Sequence, residues 1–161
     1  MSSGKSLQPT KYAQQRYNMT KPVDFDVAVK YGGALMAIAG ADGELAEKEF
    51  QWYVDEQALL MVDSQEYIET LRKFDWKNAN IEELLSGISY DFPMNFRRTM
   101  LYQAIKMSSA DGVYQEKEKA AVAKAAEILG IEHSMVISIE SLAEMENASE
   151  RLRLSLFETD V

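Results

Sequence analysis

The sequence predicts an all-α protein, a single compact domain of seven to eight helices built from an internally duplicated helix–Asp-Gly loop–helix unit. Three observations carry this. Apolar residues recur at helical spacing along most of the chain, and no segment combines alternation with enough β-branched residues to argue for a strand. Residues 41–49, Ala-Asp-Gly-Glu-Leu-Ala-Glu-Lys-Glu, return 69 positions later as residues 110–118, Ala-Asp-Gly-Val-Tyr-Gln-Glu-Lys-Glu, identical at six of nine places.

Residues 1–21 are polar and lack sustained periodicity, so they are expected to form an irregular N-terminal arm that Tyr12 and Tyr17 could pin to the body. The helical domain then spans 22–161, with repeats at about 24–62 and 93–130. Pro22 suits the first turn of a helix, and Val27, Tyr31, Leu35 and Ile38 follow as a core-facing stripe. Gly32 and Gly33 lower the propensity of that helix and permit a close crossing. After the first Asp-Gly turn, Phe50, Val54, Ala58 and Met61 give a second stripe, over about 46–61. Asp63 with Glu66 reads as a capping box for a short third helix through Lys73. Asn80 with Glu83 does the same for a fourth, through about Ser89, and Pro93 closes this linker. Phe96, Met100, Ala104 and Met107 then repeat the first stripe, shifted by 69. An alanine-rich helix runs from Glu116 to Leu129, stopped by Gly130 in a left-handed conformation. Helical patterns follow over 134–146 and 149–158.

With 161 residues, 47% of them hydrophobic, the chain can bury one sizeable core. Its 26 acidic against 17 basic residues give a formal net charge of −9, which repels nucleic acid and anionic lipid and attracts cations. There is no cysteine and a single histidine, His133, so thiolate ligands and histidine clusters are excluded. Any metal must be held by oxygen. The longest small and apolar run, residues 32–41, is half the roughly 20 residues of a bilayer span, and no secretory leader is evident. A cytoplasmic protein with no membrane insertion is expected.

Both repeated corners are acidic. Capping accounts for much of that, since Glu47, Glu49, Glu116 and Glu118 fall where helix N-termini favour negative charge by about 0.3–1 kcal/mol. Crowding adds a second reading. Asp42, Glu44, Glu47 and Glu49 place four carboxylates in eight residues, and packing about a pseudo-two-fold axis would bring Asp111, Glu116 and Glu118 toward them. Such oxygen donors suit a divalent ion, Ca²⁺, Mg²⁺, Mn²⁺ or Zn²⁺, with Asp42, Glu49, Asp111 and Glu118 as the expected ligands and Glu44, Glu47 and Glu116 as weaker candidates. The loop is not an EF-hand, because glycine follows the first aspartate directly.

A small-residue helix ending in Ala-Asp-Gly, then Glu-Lys-Glu opening the next helix, and the same arrangement again after a helical linker, resembles the tellurite-resistance TerB family over about residues 24–132. The resemblance implies an acidic all-helical domain binding a divalent metal through Asp42, Glu49, Asp111 and Glu118. It also implies a role in tellurite and other stress resistance, in the cytoplasm, beside membrane-bound and calcium-binding protein partners. Leu45-Ala46 stands where Tyr114-Gln115 stands, so the two corners need not be equivalent. Without a thiol, reduction or capture of an oxyanion by sulfur is excluded.

The expected activity is therefore non-enzymatic. The alternatives are a carboxylate-liganded metal-dependent hydrolase, which lacks an evident nucleophile, and a metal-free helical adaptor; self-association is left open. His133 is expected in a loop or cap, and the nine methionines are expected mainly to fill the core. Trp52 is the leading candidate for an exposed aromatic, with Trp76 second, and packing of Trp52 against the N-terminal arm is the equal alternative.

Overall fold

The computed structural model describes residues 4–41, 43–88, 95–110, 114 and 116–158, without the side chain of Lys117. Among these residues the chain forms eight helices: α1 (Lys11–Tyr17), α2 (Phe25–Ala39), α3 (Glu47–Leu60), α4 (Gln65–Arg72), α5 (Ile81–Ser86), α6 (Phe96–Ser108), α7 (Glu116–Leu129) and α8 (His133–Glu158). Two short strands, β1 (Ser6–Leu7) and β2 (Val23–Asp24), pair antiparallel with Leu7 opposite Val23.

The two stripes that begin the repeats become the centre of the molecule. Tyr31, Leu35 and Ile38 on α2 are buried, as are Met100, Ala104 and Met107 on α6. These helices pack on each other, α3 packs across α6, and α7 packs across α2. Each repeat thus covers the first helix of the other with its own second helix. Helix α2 is buried almost all round, and Gly32 and Gly33 are why α4 can lie against it: a Cβ on Gly32 would meet the Tyr67 hydroxyl at 2.5 Å, and one on Gly33 would meet the Phe74 ring at 2.6 Å. Gly130 has φ +69, with Gly130 N–H bonded to Glu127 C=O and Ile131 N–H to Ala126 C=O, the paired bonds of a left-handed helix stop.

Several expectations are corrected. The arm is not irregular. Thr10 caps α1 by accepting from Ala13 N–H, Asn18 ends it in the left-handed region, and Thr10 N–H and Val62 N–H exchange bonds with Leu60 C=O and Gln8 C=O across the end of α3. Pro22 does not start α2; residues 23–24 are taken by β2, and the Asp24 carboxylate accepts from Asp26 and Val27 N–H to start the helix at Phe25.

On α3 the buried face is Phe50, Tyr53, Gln57 and Leu60, and Ala58 is exposed, because a buried glutamine broke the apolar pattern. Asp63 accepts from Gln65 N–H, but Glu66 pairs with Lys5 at 2.6 Å instead of completing a capping box. Residues 133–158 form one helix instead of two, with His133 its exposed first residue. Trp52 and Trp76 are half-buried, Trp76 against Gly40. Among the described residues five methionines, Met19, Met36, Met61, Met100 and Met107, are in the core, whereas Met145 is 69% exposed.

The Asn80 cap forms as expected, its side chain accepting from Glu83 N–H at 3.1 Å. Asn80→Ala is expected to cost about 1 kcal/mol, read as a lowered midpoint in urea with an unchanged slope.

Candidate functional site

The described part of the first corner is held by backbone bonds, Gly40 N–H to Met36 C=O at 2.8 Å and Gly43 N–H to Gly40 C=O at 2.9 Å. Gly43 has φ +98 with open space around it, so glycine is there for conformation and not for packing. Ala46 precedes α3 without a side-chain cap, leaving Glu47 and Glu49 in the first turn. Glu47 is exposed and lies 3.4 Å from the exposed Arg72 guanidinium, a pair that solvent weakens. Glu49 is half-buried and Glu44 exposed.

At α7, Glu116 is 93% exposed and pairs with Lys119 at 3.6 Å, while Glu118 is half-buried. Beside it the Tyr114 phenol is held protonated, its pKa pushed up by burial, then by Glu140 and Glu118. Asp42 and Asp111 lie outside the described residues. Among the described residues no three carboxylates or imidazoles gather as metal ligands would, so the glutamates alone do not make a centre.

What the described residues do show is where each corner lies. Ala37, Gly40 and Ala41 line a cleft of about 420 Å³ against Ala121, Lys124 and Ala125 of α7, with Trp76 as a further wall. A shift of 69 turns these six positions into Lys106, Ser109, Ala110, Trp52, Asp55 and Glu56, and all six line a second cleft of about 730 Å³. Each corner therefore sits over the second helix of the other repeat, and among the described residues the two clefts share no lining residue.

The second cleft has a polar floor. Arg16 of α1 reaches Glu56 at 3.4 Å, Glu146 at 3.2 Å and the Tyr102 hydroxyl, joining α1 to α3, α8 and α6. Tyr102 also donates to Glu146 at 2.6 Å. Lys106 donates to Asn147 Oδ1 at 2.7 Å, and Asn147 in turn donates to Ser109 Oγ at 3.1 Å. Burial raises the Glu56 carboxyl above its ordinary pKa, with Arg16 the leading opposing influence, and lowers that of Lys106, with Glu146 the leading opposing influence. Sequence reading missed this cluster, because no local pattern marks Glu56 or Lys106 as buried. Comparing the repeats position by position carries the signal: Glu56 falls at Ala125 and Lys106 at Ala37.

A protein-family model for tellurite resistance protein TerB matches residues 56–141, and the crystal structure of a tellurite resistance protein from Nostoc punctiforme superposes with a TM-score of 0.72, at 32% identity over 85% of this chain and 84% of that one. The chain belongs to the TerB family. No curated protein matches it. The TerB assignment fits the all-helical architecture, and no helix among the described residues is long and apolar enough to cross a membrane.

Proposed function

We propose that this TerB-family chain is a non-enzymatic module of tellurite and stress resistance that holds a divalent cation at its acidic corners and acts in the cytoplasm through protein partners. The observation that carries the metal reading is the pair Glu49 and Glu118. They stand 69 residues apart, each in the first turn of a helix after a duplicated Asp-Gly corner, and each is half-buried while its neighbour Glu47 or Glu116 is exposed. With Asp42 and Asp111 they supply the oxygen donors a hard divalent ion takes, and the net charge of −9 favours its approach. Because the corners line separate clefts, the reading is of one ion at each corner and not of one shared ion.

The test is titration of the chelator-treated chain with Ca²⁺, Mg²⁺, Mn²⁺ or Zn²⁺, followed by melting temperature and backbone resonances. One of these ions is expected to raise the melting temperature and shift resonances at both corners. Asp42→Ala with Glu49→Ala should remove the response at the first corner, and Asp111→Ala with Glu118→Ala that at the second. No response to any of the four would overturn the metal reading. A metal-free adaptor is favoured by the Glu47–Arg72 and Glu116–Lys119 pairs, which give two of the exposed glutamates partners within the protein. Elemental analysis of protein purified without chelator separates the two.

A further inference from the structure

The two clefts at the corners are built on one duplicated frame and differ in chemistry, and the difference points to a ligand. In the first cleft, positions 37 and 125 are buried alanines; in the second, their counterparts are Lys106 and Glu56, 8% and 7% exposed. The frame packs well with alanine at both places. Taking a charge out of water is unfavourable until pairing offsets it, so packing alone does not call for these two residues. Docking of α1 accounts for Arg16, Glu56 and Glu146, which pair with one another. It does not account for Lys106, which lies 3.9 Å from Glu146 and has N–H groups beyond the one given to Asn147, nor for Arg151 at the mouth.

We propose that this second cleft, apart from the acidic carboxylates of the metal reading, binds a small zwitterion of dipeptide size. Its volume, about 730 Å³, lies within the range of small-molecule sites, roughly 300–1,000 Å³. The described lining charges balance: Arg16, Lys106, Arg151 and Arg153 stand against Asp55, Glu56, Glu146 and Glu150, with Arg16 paired to Glu56 and Glu146 and Arg153 to Glu150, which leaves Lys106 and Arg151 on one side and Asp55 on the other to face a ligand. A ligand of one sign would meet as much repulsion as attraction there, whereas a zwitterion meets both signs in complement. Lys106 and Arg151 take its carboxylate. Asp55, exposed on α3, takes its ammonium. Trp52 and Tyr12 form the apolar wall for a side chain.

The probe is glycyl-phenylalanine, added to the full chain carrying Trp76→Phe, so that Trp52 is the remaining fluorophore of the two tryptophans. A saturable change in Trp52 fluorescence is expected, with affinity lowered about tenfold or more for the dipeptide amide and for the N-acetyl dipeptide, each of which lacks one charge. Glu56→Ala with Lys106→Ala, which installs the residues of the first cleft, should abolish binding while circular dichroism stays helical. If that variant fails to fold, Arg151→Ala at the exposed mouth serves instead, and should weaken the dipeptide about tenfold while leaving its amide unchanged. Absence of saturable binding, equal binding of all three probes, or undiminished binding by a folded double variant would each overturn the proposal. None of these results depends on whether the corners hold metal.

Discussion

Arg16→Ala is expected to destabilise the protein by about 3 kcal/mol, because it leaves Glu56 buried without its guanidinium partner. The lower end of the range for a broken buried pair is appropriate, since the Arg16 side chain is 25% exposed while that of Glu56 is 6% exposed. For a chain of this length the loss corresponds to a fall in melting temperature of about 6–12 °C. The effect has a definite pH dependence. Burial already raises the Glu56 carboxyl in the folded protein, and removing Arg16, the leading opposing influence, raises it further. The folded state then holds a proton at pH values where the unfolded state has released it. Stability therefore falls as pH rises from the ordinary carboxylate range through the raised value. The gap between Arg16→Ala and the unsubstituted protein should be widest at pH 8 and narrower at pH 5. Glu56→Gln in the Arg16→Ala background should recover part of the loss at pH 8. A penalty equal at both pH values, or below about 1 kcal/mol, would show that Arg16 is a surface pair of the ordinary weak kind.

The same pair explains what could be read from the sequence and what could not. Helices α2 and α6 were legible because their buried faces are apolar at helical spacing, and because the duplication shows one stripe twice. The Gly130 stop and the Asn80 cap were legible because each depends only on residues within one turn. Helix α1 was not. Lys-Tyr-Ala-Gln-Gln-Arg-Tyr buries only Ala13 fully, and Arg16 ties the helix to residues 40 and 130 positions away.

The error on α3 has the same source. Its buried face includes Gln57, and Glu56 is buried beside it, so apolar spacing alone points to the exposed Ala58. Polar side chains enter this core where a partner comes from a distant element: Gln103 accepts from Tyr31 at 2.5 Å and donates to Tyr17 at 3.4 Å. At the corners, the sequence placed Glu49 and Glu118 near helix N-termini, where the structure has them in the first turns of α3 and α7, but whether the two corners meet depends on how α3 crosses α6 and α7 crosses α2.

Gly32→Ala tests the closest of these crossings and is expected to destabilise by about 2 kcal/mol. Two effects oppose each other. Alanine is favoured over glycine inside a helix by about 0.8–1.0 kcal/mol. Against that, the new methyl would lie 2.5 Å from the Tyr67 hydroxyl and 2.7 and 2.8 Å from the two Leu71 methyls, well inside contact distance, and overpacking of this kind costs about 1–3 kcal/mol. The Tyr67 hydroxyl cannot retreat without cost, because it donates to Ala28 C=O at 2.9 Å and shares a bond with the Tyr53 hydroxyl at 2.9 Å, each contributing about 1 kcal/mol. The steric terms win, and α4 moves off α2. Tyr67→Phe alone should also destabilise, by losing both bonds, yet the double variant should be less unstable than the sum of the two, since the phenylalanine leaves one of the three clashing atoms out. Urea midpoints of the four proteins measure that coupling, expected at 0.5 kcal/mol or more. Strict additivity would mean that α4 yields as a body and that the glycine is not held in place by the tyrosine.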